Sequence, residues 1–529
     1  MKSNNKYGIA IVSGLILLSA CTGNFEEMNT SPSGVTDEDL TQDNNIVGMH
    51  FPSMQKSIYY NPNGFGYDFQ TNQNLNADIW SGYMATPSNF KNGINNMSYF
   101  LNNDWNDACW SYAYSSIMVN QLKVKNKCET LGAETYAHFN AINTIIRVIA
   151  MSRVCDEYGP IIYSRYGETM TGGAYDSAQN AYKLFFAELT EAVNTLNGFL
   201  GKEYASFTKF DLAYGGDLSK WMRFANSVRL RLAMRVVKYD AAWAKSEAEA
   251  AIAAPQGVMK AGDSFLVSGY GWRHPLYVCS ISYNDIFISA NVQSILGGYE
   301  DPRLPLFGLA KTADGVIGVR TGMPDLDVYA DKYKAIISQI NVADGQPGLI
   351  FSSAESFFLL SEAALRGWNT GGGTAKEFYE AGISASFSQW GLSIGDYLNN
   401  TNKPAAWIDP LRPEFNSPAM SGVSPKWDEA QSDEERLEKI ITQKWIAGFP
   451  EGRNAWAEWR RTGYPKQFPI LVNNSQNNEI PTDLGVRRLT YTNREKSQNP
   501  EGYAEAVKLL GGADSGATRL FWDIDKPNL

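Results

Sequence analysis

Histidine is nearly missing from this chain: 529 residues carry three, His50, His138 and His274, no two of them close in sequence. A histidine metal site or a Ser-His-Asp arrangement therefore has almost no material. Cysteine is scarce too, with five residues and no C-x-x-C pair or zinc spacing. Long basic runs are absent. Lys and Arg total 46 against 56 Asp and Glu, a net charge of −10, whereas binding phosphate backbones needs clustered cations, so nucleic acid is excluded as a partner. No phosphate-binding G-x-x-x-x-G-K-[ST], nucleophile-elbow G-x-S-x-G or zinc-protease H-E-x-x-H pattern occurs. "DLDVYAD" (325–331) starts like a calcium loop, but residue 336, where the closing Glu belongs, is Ile, and the stretch reads as a surface acid cluster. Nothing marks the facing carboxylate pair of a glycoside hydrolase. The expectation is a protein that is not an enzyme and has no catalytic residues, cofactor or metal.

No apolar run reaches the roughly 20 residues of a membrane-spanning helix. The N-terminus instead has Lys2 and Lys6, then an apolar stretch at 9–18, then Ser19-Ala20-Cys21. That pattern is an export signal at 1–20, and Leu18-Ser19-Ala20-Cys21 resembles a bacterial lipobox, with Cys21 the lipidated residue. Two or more acyl chains anchor stably where one is marginal. Residues 22–45, rich in Asn, Asp, Thr, Ser, Gly and Pro, show no helical period and read as a tether. The remaining cysteines, Cys109, Cys128, Cys155 and Cys279, are read as buried thiols or one or two disulfides.

Residues 46–529 form the expected body, with 44% hydrophobic residues in the whole chain supporting a large core. Periods of three and four mark helices at 176–197, 221–237, 352–367 and 374–390, and Ser432 with Glu435 makes a capping box before "RLEKIITQKWIAGF". Small residues alternate with large ones in 352–390, as in tetratricopeptide-like helix pairs. The fold class is mainly α: a helical-pair scaffold over 46–253 and 348–449, with irregular, loop-rich binding regions at 254–347 and 450–529. Long irregular segments in compact proteins are usually functional.

"VCDEYGPIIYSRYGE" (154–168), "WMRFANSVRLRLAMRV" (221–236), "DPRL" (301–304), "SEAALRGW" (361–368), "ITQKWIAGFPEGRNAWAEWRRTGYP" (441–465) and "TRLFWD" (518–523) follow one another behind the lipobox. In that order they resemble the SusD/RagB-like nutrient-binding lipoproteins of Bacteroidota outer membranes, over nearly the whole mature chain. The resemblance implies four tetratricopeptide-like helix pairs and a surface-facing lipoprotein. It further implies a hinged lid over a SusC-like TonB-dependent transporter, delivering an oligosaccharide or, in RagB-like members, a peptide.

Sugar binding needs aromatic rings against pyranose C–H faces, flanked by side chains that bond hydroxyls. The chain has 14 Trp, 28 Tyr and 25 Phe, but most aromatics serve cores. Trp110, Trp368, Trp445, Trp456 and Trp459 fall on helical periods or in scaffold strings and are assigned to packing. The candidates are Tyr270, Trp272, Tyr277 and Tyr283 in "SGYGWRHPLYVCSISYND" (268–285), with Arg273, Asn284 and Asp285 beside them. Trp80, Tyr83 and Phe90 come next, where a helix end runs into Pro87 and would present them at a rim. Asp156 and Glu157 are assigned to a turn before Pro160, and Arg460 and Arg461 to carbonyls and carboxylates at helix ends.

Replacing Cys21 by Ala is expected to move the protein from the detergent phase to the aqueous phase when cells are partitioned in Triton X-114. A variant that stays in the detergent phase would contradict lipidation at this residue.

Overall fold

Short polar side chains start the long helices. Ser177, Asp217, Asp240, Ser352, Thr374 and Ser432 each sit in extended backbone and accept a hydrogen bond from a first-turn N–H, which satisfies donors that a helix start leaves open. The computed structural model describes residues 42–59, 66–170 and 173–529. Cys21, the export signal and nearly all of the tether lie outside the described residues. The chain divides into residues 1–49, described as the turns Gln42–Asn44 and Asn45–Gly48, and a body from His50 to Leu529.

In the body, α1 (Phe51–Ile58) precedes a wide-turned stretch, Gln70–Asp78. Then come α2 (Asn103–Tyr112), a second wide turn at Ala113–Met118, α3 (Val119–Gly132), α4 (Ala137–Tyr158), α5 (Ala178–Asn197), α6 (Leu218–Arg235) and α7 (Ala241–Ala253). The 254–347 segment is loop-rich, with short strands, short helical turns at Tyr277–Ser282, Ala290–Val292, Gln293–Gly297 and Leu304–Phe307, and α8 (Leu326–Lys334). The scaffold resumes with α9 (Ser353–Leu365), α10 (Ala375–Gln389), α11 (Asp433–Gly448) and α12 (Gly452–Thr462), and ends with α13 (Asn493–Gln498) and α14 (Pro500–Leu510). Helices pack in the pairs α4/α5, α6/α7 and α9/α10, and α11 packs against α9. Gly382 of α10 lets Phe358 of α9 approach so closely that a Cβ would lie 2.8 Å from its ring.

Two small sheets stitch the central segment to the scaffold. One has the antiparallel order β1 (Met84–Ala85), β3 (Phe287–Ile288), β5 (Gln339–Ile340), β4 (Gly308–Leu309), with Met84 opposite Ile288 and Phe287 opposite Gln339. The other pairs β2 (Phe265–Val267) with β6 (Gly348–Phe351). Phe224 of α6 stacks on Phe265 at 4.4 Å, and Arg231 lies 3.8 Å over the Phe351 ring. This packing joins both scaffold halves into one core.

The 450–529 region differs from the irregular segment expected, because it opens with α12, and α12 is the most constrained element of the molecule. Its Arg453, Glu458, Arg460 and Arg461 are all buried. Arg453 pairs with Glu157 of α4, and Arg461 grips Glu362 of α9 through two bonds of 2.7 Å. Glu458 takes Lys444 of α11 at 2.7 Å and lies 3.5 Å from Arg235 of α6. Asn454 accepts from Arg235 at 2.7 Å and donates to Glu355 at 3.1 Å, and Glu355 also holds Arg231. Arg460 donates to the carbonyls of Asp156 and Arg487 at 2.6 and 2.7 Å. The helix was hidden from a hydrophobic count because its inward faces carry charge. Asp156 and Glu157 likewise belong to the last turn of α4 instead of a separate turn, since Glu157 is needed where Arg453 meets it. At the helix start there is no room for a side chain: a Cβ on Gly452 would lie 2.3 Å from Asp78 Oδ1. No disulfide joins Cys109, Cys128, Cys155 and Cys279, all four of which are buried.

Arg461→Ala leaves Glu362 and Glu458 buried with one fewer cation and is expected to lower unfolding stability by roughly 3–5 kcal/mol in thermal or urea titration. Burial of Glu362 pushes its carboxyl up, but the cations around it, Arg461 first, outweigh that and hold it down at about 2. A carboxylate with a depressed folded pKa contributes stability that is complete above its unfolded pKa, near 4.5, and is lost as pH falls toward 2. Acidification across that window is expected to remove about 3 kcal/mol through this residue, and Glu362→Gln is expected to flatten the slope.

Candidate ligand groove

Three loop segments meet in a groove of about 460 Å³, lined by Thr86, Ser88, Asn89, Asn92, Asp325, Asp327 and Asn474 above a base of Met97, Met323 and Val472. The sequence "TPSNFKNGINNMSY" (86–99) explains its shape, because Asn and Gly tolerate left-handed backbone better than other residues do. Lys91, Asn92 and Tyr99 have φ of 51°, 56° and 61°, and Asp325, which starts α8, has φ of 56°. Such conformations persist only where surroundings over-determine them, and they gather at binding sites. Here the surroundings are explicit. Asn95 Nδ2 donates to the Phe90 carbonyl at 2.6 Å and Ser98 Oγ to the Gly93 carbonyl at 2.7 Å. The backbone N–H groups of Asn474 and Val472 donate to the Ser98 and Gly322 carbonyls at 2.7 and 2.9 Å.

Within this frame the side chains of Asn89, Asn92 and Asp327 have no hydrogen-bond partner among the described residues. They leave amide donors, amide acceptors and a carboxylate for a ligand. Asp325 is held by Arg412 at 3.0 Å, and that guanidinium lies 4.6 Å over Tyr329. Beside the turn, Phe90 meets Trp105 edge-on at 5.9 Å, and Lys91 reaches toward the Trp105 ring and lies 3.5 Å from Asp104.

The sequence-derived candidates scatter. Trp80 and Tyr83 are buried: Trp80 donates to the Asn96 carbonyl at 3.2 Å and packs 4.8 Å from Trp456, while Tyr83 bonds the Trp445 carbonyl and lies 4.8 Å from Trp445. Their rings offer no face to a sugar, so the expected rim at that helix end is made by Phe90 alone. Trp272 is 9% exposed, donates to the Gln346 carbonyl at 2.8 Å and presses against Gly348, where a Cβ would lie 2.9 Å from its ring. It too is packing, because Gly348 opens a slot for it at the start of β6. Tyr270 is fully exposed, Tyr283 is exposed and Tyr277 partly so. Arg273 pairs with Asp344 at 2.9 Å, and Asn284 accepts from Gln339 at 3.0 Å.

One contact links that cluster to the groove: Asp285 accepts from Ser88 at 3.0 Å and lies 3.6 Å from Lys334 at the end of α8. α8 runs from the groove to Asp285 over nine residues, about 13 Å of helix. What sequence reading missed is the Asn-rich turn at 89–95, although its Asn and Gly content is a visible signal for positive φ. The small cavity among Arg231, Glu355, Lys444, Glu451 and Glu458, of about 20 Å³, has room for about one water and belongs to the ion-pair core. Among the described residues no group of three or more His, Cys, Asp or Glu side chains is placed to hold a metal, and no helix is long and apolar enough to cross a membrane.

A helical-pair scaffold carrying a rigid polar groove on its loops defines a binding protein. Residues 27–523 match the family described as Susd and RagB outer membrane lipoprotein, and the chain belongs to that family. Among solved structures it is similar to a chitin-binding SusD homolog from Flavobacterium johnsoniae, with 42% identity and a TM-score of 0.87 over 91% of this chain and 100% of that one. A SusD homolog from Bacteroides vulgatus shows 37% identity and a TM-score of 0.86 over 93% and 100%. A third, from Bacteroides uniformis, shows 32% identity and 0.83 over 91% and 99%. No curated protein matches.

Asn92→Val is expected to lower stability by about 1–2 kcal/mol in urea unfolding, because a β-branched residue resists left-handed φ, whereas Asn92→Gly is expected to leave the midpoint unchanged or raise it. Equal losses in both variants would mean that the amide, and not the backbone, holds the turn.

Proposed function

We propose that the protein is a cell-surface lipoprotein that captures oligosaccharides in the groove at 86–98, 322–327 and 472–474 and, as a lid, delivers them to a SusC-like TonB-dependent transporter. The observation that carries the reading is the pre-formed groove: its backbone is strained and locked, while Asn89, Asn92 and Asp327 keep hydrogen-bonding capacity that the protein does not use. A site built this way loses little conformational freedom on binding. Exposed Tyr270 and Tyr283, and partly exposed Tyr277, are further candidate ring surfaces in the segment that reaches Lys334 of α8 through Asp285. The chitin-binding relative favours a glycan over a peptide and makes chitin oligosaccharides the first probe. The lipobox and tether fit a hinged lid, whose closure a ligand favours only by its difference in affinity between open and closed states.

The test uses the mature lipoprotein in a detergent without sugar groups, titrated by calorimetry with chito-, cello- and xylo-oligosaccharides and with mixed peptides. Binding of an oligosaccharide, weakened about tenfold by Asn92→Ala, supports the reading. Binding of peptides alone turns the same groove into a peptide site, and co-purification without a TonB-dependent barrel from native membranes overturns the lid role.

A further inference from the structure

A second cleft, of about 310 Å³, opens at the other end of α2, between the α2–α3 junction and α13. Its wall is a run of rings. Trp110 lies 4.8 Å from Tyr114, and Tyr114 lies 5.7 Å from Tyr166 at an interplanar angle of 30°. The inner rings are immobilised: Trp110 is packed by Tyr158 and Tyr491, and the Tyr114 hydroxyl accepts the Ile162 N–H at 2.9 Å. The outermost, Tyr166, is partly exposed on the loop at 163–169. Packing explains Trp110 and Tyr114 but leaves the outer face of Tyr166 unexplained.

Across the cleft stand polar side chains of α13. Glu495 is fixed by the Tyr175 hydroxyl at 2.7 Å and by Asn499 at 3.0 Å. Arg494 is exposed and bonds Gln498 through Nε at 3.0 Å, leaving both Nη groups without a bond among the described residues. Ser111 and Ser115 line the opposite lip, also without hydrogen-bond partners among the described residues. A flat ring face, a planar guanidinium, an amide and two free hydroxyls around a cavity of this size are the chemistry that holds a pyranose: C–H faces against the ring, hydroxyls on the polar groups.

One face of α2 leads from the groove turn toward the cleft. Asp104, Asp107, Ser111 and Ser115 recur at spacings of three and four, are partly or fully exposed, and form one stripe along α2 and the turn that continues it. The stripe starts where Asp104 meets Lys91 of the groove turn and ends in the cleft, and from Asp104 to Ser111 it covers about 10 Å. We propose that the cleft of Tyr166, Arg494, Gln498 and Ser115 is a second carbohydrate subsite, which holds the far end of an oligosaccharide whose near end lies in the groove. The proposal rests on the glycan reading of that groove. It makes the receptor select for chain length, since a short saccharide fills one site and a longer one fills both at high effective concentration.

The test titrates the mature lipoprotein in a sugar-free detergent with chito-, cello- and xylo-oligosaccharides of two to six units, comparing wild type, Tyr166→Ala, Arg494→Ala and Asn92→Ala. Affinity is expected to rise from dimer to hexamer in the wild type, and that rise is expected to shrink about five- to tenfold in Tyr166→Ala and Arg494→Ala. Asn92→Ala is expected to weaken every length. If Asn92→Ala weakens binding while both cleft variants keep the wild-type dependence on length, the subsite is wrong and the groove stands. If no saccharide binds the wild type, both readings fall. Circular dichroism melts of the cleft variants must match the wild type, which the surface position of both side chains leads us to expect.

Discussion

The buried charge on α12 is the constraint on which the rest of the molecule depends. One helix of eleven residues places cations and an anion against α4, α6, α9 and α11, so four scaffold helices find their positions through it. Ion pairs of this kind are a poor source of net stability, because desolvation offsets much of the attraction. What they supply is discrimination. A helix shifted by one residue would bury Arg461 or Glu458 without its partner, and that alternative is expensive enough to leave a single register. The hydrophobic packing of Phe224, Phe265 and Phe351 is less selective by itself, since apolar surfaces tolerate small slips.

A rigid scaffold is what lets the binding loops be irregular. The groove at 86–98 has left-handed residues and open amides, features that would not persist on a mobile loop. They persist because β1 is pinned to β3, Asn474 and Val472 are bonded to Ser98 and Gly322, and Tyr83 just before β1 reaches the carbonyl of Trp445 on α11. The scaffold core therefore extends to within a few residues of the groove. The same logic holds in the second cleft, where Trp110 and Tyr114 are core residues on one side and wall on the other. Both candidate sites lie at the margin of the packing.

The helices were largely legible in the sequence because capping and periodicity are local: Ser177, Asp217, Ser352 and Thr374 stand at the helix starts, close to where the periodic stretches begin. The exception was α12, whose inward face is charged and so inverts the usual pattern. Site residues were much less legible. Trp272 looked exposed among glycines and prolines, yet the slot that accepts it is made by Gly348, 76 residues away. Trp80 and Tyr83 looked like a rim, yet Trp456 and Trp445 cover them. Tyr270 and Tyr283, candidates from the same irregular segment, are exposed.

By itself the sequence determined the helical class and the family, since each rests on short spacings along the chain. Only the tertiary structure decided which aromatic rings keep an open face and which polar side chains keep an unused hydrogen bond. The reason is physical: exposure and satisfaction are properties of the space between segments far apart in sequence, and Asn92, Asp325 and Asn474 become neighbours only when the scaffold brings three loops together.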